Sequence, residues 1–142
     1  MVFPVMILDS SFLVSFFRQS DDNHKKAVEL SDRIELEEKL LPELIYYESL
    51  TVINYKEGIK AAKEASEYLA SNQQIEMYAL SEDEKREMLS EFFAQEKQLS
   101  VEDAIVVYLA RKKRADVLAF DERILKTIEK NKRSNGKENK KD

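Results

Sequence analysis

Four carboxylates in this chain occupy places where the neighbouring apolar pattern predicts burial. Asp9 follows Met6-Ile7-Leu8, and Asp121 follows Val117-Leu118-Ala119-Phe120. Glu48 falls on a helical stripe of positions 41, 44, 45, 48, 52 and 55 that is otherwise apolar or aromatic, so its carboxylate is predicted to face the core. Asp103 opens the segment Val101 to Lys112, which is apolar on nearly every side and reads as a buried helix. It aligns with Val107 and Ala110, and its neighbour Glu102 competes for the same role. For Asp9, Asp103 and Asp121 the competing reading is a helix N-terminal acid held by capping and by the helix dipole.

The chemistry follows from what converging acids need. A buried carboxylate is costly unless it is paired or protonated. Two of them about 4 to 5 Å apart, at an effective dielectric near 20, repel by roughly 3 to 4 kcal/mol. No lysine or arginine lies on the apolar runs around these four acids. Their convergence therefore calls for divalent cations, and a ligand set made only of oxygen selects hard ions such as Mg²⁺ or Mn²⁺.

The elements that must position them alternate. Val5 to Leu8 is a strand, followed by a helix through Phe12 and Phe17 that Ser10 or Ser11 can cap. Asp21-Asp22-Asn23 starts a second helix through Ala27 and Ile34. Lys39 to Leu41 is a brief strand, and Pro42 suits the first turn of the helix carrying Glu48. Gly58 ends that helix, and Ile59 to Ser71 forms the next. Ile75 to Leu80 is a third strand, and Ser81 and Ser100 open capping boxes for two further helices. Val117 to Phe120 is a fourth strand with a helix behind Asp121, and from Lys132 onward the chain has no apolar residue. The expectation is an α/β fold: a three-layer α/β/α sandwich with a mainly parallel sheet of four to five strands, spanning residues 1–131, with a basic disordered tail over 132–142. Asp9 and Asp121 then share the sheet edge where ligands bind in such folds.

Composition narrows the classes. The absence of cysteine excludes thiolate chemistry and disulfides, and the single His24 excludes any mechanism needing two imidazoles. Two glycines leave no Gly-rich phosphate loop. A net charge of −5 argues against a protein that coats nucleic acid electrostatically. With no apolar run long enough to span a bilayer and no signal-peptide pattern, a cytoplasmic protein without membrane contact is expected.

Asp9 in Ile7-Leu8-Asp9-Ser10-Ser11, Glu48 on a helix after a short strand, Asp103 in Leu99-Ser100-Val101-Glu102-Asp103-Ala104, and Asp121 in Leu118-Ala119-Phe120-Asp121 together resemble the PIN-domain ribonucleases. The similarity spans residue 5 to about 128, and the size resembles the VapC-type toxins of toxin–antitoxin pairs; His24 also matches a common family position. The resemblance implies an Mg²⁺- or Mn²⁺-dependent endoribonuclease with an RNA substrate and an antitoxin partner. Asp9, Glu48 and Asp103 would hold the principal ion, and Asp121 would complete the set or position water. The family's usual Ser or Thr two residues before the last Asp is replaced by Ala119, while Ser11 offers a hydroxyl from the other side.

Other features carry paired readings. Arg111-Lys112-Lys113-Arg114 is either an RNA-binding patch or ordinary compensation of a helix C-terminus. His24 either assists phosphate chemistry or makes an interhelical hydrogen bond. Phe12, Phe16 and Phe17 either pack the core or leave a surface for an antitoxin or a second subunit of a homodimer. The alternative function is a non-catalytic PIN-like scaffold or RNA-binding and RNA-processing module with an impaired metal site, supported by Ala119. A phosphotransfer receiver would need paired acids after the first strand, and only Asp9 is there.

Overall fold

A computed structural model describes residues 5–96 and 98–139, with side chains as far as Arg133. In chain order the elements are β1 (Met6–Leu8), α1 (Ser10–Phe17), α2 (His24–Arg33), β2 (Lys39–Pro42), α3 (Glu43–Glu57), α4 (Ile59–Ser71), β3 (Ile75–Tyr78), α5 (Glu82–Ala94), α6 (Val101–Lys113), β4 (Asp116–Leu118) and α7 (Glu122–Asn139). The four strands form one all-parallel sheet in the order β3-β2-β1-β4. Helices α1 to α4 pack among themselves, α5 and α7 pack on α6, and α6 lies against β1 and β4. The α/β/α architecture expected from the alternation is the one observed.

Short apolar strands form a parallel sheet because both of its faces are covered. Ile7, Leu8 and Leu41 are sealed from solvent, as are Ile45 on α3, Val106 and Leu109 on α6, and Ile124 on α7. Phe12 is buried, and Phe16 and Phe17 pack against Tyr68 of α4, tilted and edge-on, with ring centroids 5.5 and 5.6 Å apart. The three phenylalanines thus have core and interhelical partners. Among the described residues, no helix is long and apolar enough to cross a membrane.

The strand order matters for function. From β1 the chain moves one way to β2 and β3, then returns to place β4 on the other side of β1. The switch point therefore lies between β1 and β4, and a crevice opens there beyond the strand C-termini. The register Leu8↔Leu118 brings Asp9 and Asp121 off adjacent strands at that edge.

Several local expectations need correction. Asp9 itself caps α1, accepting from the Ser11 N–H, in place of Ser10 or Ser11. Pro42 is the extended residue before α3, not part of its first turn. The buried face of α3 is Ile45, Ser49 and Ile53, while Leu44 and Tyr55 of the expected stripe are 40% and 89% exposed. Ser49 can face inward because its hydroxyl donates to the Ile45 carbonyl at 2.7 Å, which satisfies it within its own helix. Glu48 and Val52 consequently flank the core. Separately, α7 is helical to Asn139 and so runs on beyond Lys132; residues 140–142 lie outside the described residues. Burial is not needed to extend a helix whose first half is already packed, and the Glu129–Arg133 pair at 2.8 Å supports the added turns.

Candidate metal centre

Each of the four acids arrives by a different local device. Asp9 leaves β1 and turns directly into α1, and its backbone N–H donates to the Leu118 carbonyl at 3.0 Å, which fixes it against β4. Its Oδ2 accepts from the Ser11 N–H at 3.1 Å and the Ser11 hydroxyl at 2.6 Å. The same hydroxyl accepts from the Phe120 N–H at 2.9 Å, so Ser11 ties Asp9 to the loop that carries Asp121. Asp103 sits in the first turn of α6, in a capping box with Ser100: the Asp103 N–H donates to Ser100 Oγ at 3.1 Å, and the Ser100 N–H donates to Asp103 Oδ2 at 3.4 Å. Asp121 immediately precedes α7. Three of the four acids thus stand at helix N-termini, where the partial positive charge of the backbone favours them. Glu48, in mid-helix on α3, has no such support.

All four line one open cleft of about 770 Å³, together with Ser11, Ser100, Asn23, Gln98, Phe120 and Arg123. Two of them carry unusual electrostatics. Asp9 is 1% exposed, and its Oδ1 is buried without a hydrogen-bond partner, as is Oε2 of Glu48. Burial raises the Asp9 carboxyl above its ordinary range, against the Ser11 hydrogen bonds, with Asp103 adding like-charge repulsion. Glu48 is raised by burial, against a hydrogen bond with Ser10, and further by the charges of Glu102, Asp9 and Asp103. Glu102 is therefore the foremost charged neighbour of Glu48, while Asp103 is the acid of that pair that lines the cleft.

Asp121 differs. Burial pushes it up, but hydrogen bonds from Arg123 outweigh that and hold it below the usual carboxylate range. The Arg123 N–H donates to Oδ1 at 2.9 Å and its Nη2 donates to Oδ2 at 3.3 Å. Among the described residues, no three His, Asp or Glu side chains are gathered closely enough to hold an ion as they stand. The donor chemistry nevertheless fits a hard cation. Ionised carboxylate oxygens only accept, and among the described residues Asp9 Oδ1 and Glu48 Oε2 have no donor to accept from.

The remaining candidates are placed elsewhere. Arg111 pairs with Glu91, Lys112 with Glu87 at 3.0 Å, and the Lys113 ammonium stands 4.6 Å from the centre of the Tyr78 ring. Arg114 closes α6 in the left-handed conformation, at φ 50°. These four cations lie at the far end of α6 from Asp103, eight or more residues and about 12 Å along the axis. His24 Nδ1 is 2.9 Å from the Ser15 carbonyl, which can only accept, so the ring donates between α2 and α1. Arg123 was the cleft residue that sequence reasoning passed over. Its signal was a cation in the first turn of a helix, the end that disfavours positive charge.

A family model described as the PIN domain matches residues 6–130. A crystal structure of the VapC20 toxin from Mycobacterium tuberculosis, described as cleaving the sarcin–ricin loop, superposes with a TM-score of 0.76 at 20% identity, covering 84% of this chain and 92% of that one. VapBC2 from Rickettsia felis, bound to a DNA fragment from its promoter, gives a TM-score of 0.63 at 11% identity, with 87% and 92% covered. At these identities the likeness is one of fold. Against curated proteins the sequence finds no match.

Proposed function

From the premise that this chain belongs to the PIN domain family, we propose that it is a divalent-metal-dependent endoribonuclease, the toxin of a toxin–antitoxin pair acting in the cytoplasm. The observation that carries this is the pair of partnerless buried oxygens, Asp9 Oδ1 and Glu48 Oε2, on carboxyls raised above their ordinary range in a cleft at the sheet's switch point. Isolated acids kept for capping would not retain such atoms. The likeness to VapC20 and to VapBC2 supports the choice of RNA as substrate and of an antitoxin as partner.

Asp9, Glu48 and Asp103 would hold Mg²⁺ or Mn²⁺, which supplies Lewis-acid activation of water and neutralises charge developing at the phosphate. Asp9 and Glu48 give up their protons more readily when a cation is near, so loading is favoured as pH rises through their raised values. Ser11 keeps Asp9 Oδ2 occupied, which leaves Oδ1 as the free ligand atom. Asp121 stays ionised, which suits it to complete the ligand set once Arg123 is released, or to accept a hydrogen bond from the attacking water and hold it in line.

The direct test is cleavage of a defined RNA panel in Mg²⁺ or Mn²⁺ by purified wild type and Asp9→Asn. Loss of cleavage in the variant, and in wild type with chelator, is expected. Wild-type cleavage by Asp9→Asn would sink the assignment. A second reading, a non-catalytic scaffold, is favoured by Ala119 and by the hold of Arg123 on Asp121. It predicts no rise in melting temperature at millimolar Mn²⁺.

A further inference from the structure

Among the described residues, Arg123 is the one lysine or arginine lining the cleft, and the helix end on which it sits, the first turn of α7, disfavours a cation. Its guanidinium turns back: Nη2 reaches Asp121 Oδ2 at 3.3 Å, and Nε stands 3.5 Å from Oδ1, which already accepts from the Arg123 N–H at 2.9 Å. Asp103 attracts it from across the cleft. Both oxygens of Asp121 are therefore engaged by this chain's own residue, while Asp9 and Glu48 each leave one oxygen free. Among the acids of the cleft, Asp9 and Glu48 keep an open oxygen while Asp121 is closed by an internal cation.

We propose that Arg123 is a built-in counter-ion of Asp121 that a divalent cation must displace, so that it sets the metal affinity of the cleft and, once released, contacts the RNA phosphate. The inference rests on the metal-dependent reading of the same site. The side chain is 70% exposed at the cleft rim, so releasing it requires no repacking. A planar guanidinium freed from a carboxylate presents the same paired N–H groups to a phosphate. One residue then couples the arrival of the metal to the gripping of substrate, and the patch at Arg111 to Arg114 is not needed for that task.

Mn²⁺ titration by calorimetry of the full chain, wild type against Arg123→Gln, tests this without turnover. The variant should bind Mn²⁺ about two- to fivefold more tightly, the span that an exposed ion pair supports. Arg123→Lys, which keeps the charge but loses the fork, should fall between the two. At saturating Mn²⁺, Arg123→Gln should raise the KM for single-stranded RNA several-fold with a smaller change in kcat. Equal or weaker Mn²⁺ binding by Arg123→Gln overturns the counter-ion role, and an unchanged KM overturns the phosphate contact. If wild type binds no Mn²⁺ at all, the inference falls together with the proposed function; if wild type binds it and the variant matches wild type, only the inference falls.

Discussion

Replacing Asp9 by Asn should stabilise the protein without metal and destabilise it relative to wild type with metal. Asn caps a helix as well as Asp does, so its amide oxygen can keep both Ser11 hydrogen bonds. What disappears is a buried negative charge that repels Asp103 and Glu48; the amide nitrogen that replaces Oδ1 is a buried polar group in its turn, so only the charge is relieved. For a separation on the order of 6 Å and a dielectric near 20, one like charge costs roughly 3 kcal/mol before discounting for the open cleft. A net gain of about 1–2 kcal/mol is a reasonable scale, or about 3–6 °C in melting temperature for a domain of this size. The sign with pH is fixed by the direction of the shift. A carboxyl raised on folding costs nothing where both states are protonated, and the cost grows as pH rises above its ordinary value of 3.8 through the folded value. The advantage of Asp9→Asn in chelator should therefore vanish below about pH 4, grow as pH rises and level off above the raised folded value. Saturating wild type with Mn²⁺ at a hundred times Kd adds about 2.7 kcal/mol, which reverses the ranking. Differential scanning fluorimetry in EDTA and in Mn²⁺ reads all of this. A variant that melts below wild type in EDTA at pH 7, or that gains as much from Mn²⁺ as wild type does, refutes the reasoning.

Three further outcomes test the frame around the site. Ser11→Ala removes both the brace on Asp9 and the acceptor of the Phe120 N–H, so it should cost about 1–3 kcal/mol by urea melt and also weaken Mn²⁺ binding, which a purely structural hydroxyl would leave alone. Gly58 links α3 to α4 at φ +96°, and a Cβ there would meet no atom within 4 Å, so Gly58→Ala should cost about 1–2 kcal/mol through backbone strain alone; a neutral result would place the strain elsewhere. The buried Glu84 is lowered by the Ser81 N–H and the Tyr78 hydroxyl, against the cost of burial, and so contributes stability above its ordinary value of 4.5 that is lost as pH falls through the folded value. Glu84→Gln should flatten the melting temperature below about pH 4.5 and lower it at pH 7; an unchanged acid limb refutes the assignment.

What was legible in the sequence is what local pattern controls. The capping boxes at Ser81 and Ser100, the break at Gly58 and the apolar run of β1 each depend on residues within a few positions and were found where expected, while β4 runs Asp116–Leu118, two residues short of the expected end at Phe120. Glu48 could be singled out because one acid among apolar neighbours is conspicuous at helical spacing. The orientation of its stripe was not legible, because Leu44 and Tyr55 look like core until the packing of α3 on α1 and α4 fixes Ile45, Ser49 and Ile53 as the inner face. The pairing of Arg111 and Lys112 was not legible for a related reason: Glu91 and Glu87 sit on α5, and no local pattern sets the register of α5 against α6.

Arg123 shows the limit most clearly, because a cation two residues after an acid is unremarkable in a sequence. It acquires meaning only when the strand order brings Asp9 and Asp121 to one switch point and makes the cleft otherwise acidic. On the proposed reading, fold converts that ordinary ion pair into an electrostatic choice, with Asp121 held either by its own chain or by a metal. The atoms left without partners among the described residues, Asp9 Oδ1 and Glu48 Oε2, are the ones on which that reading rests, and Arg123 would then be the cation that α7 lends the cleft until a divalent ion arrives.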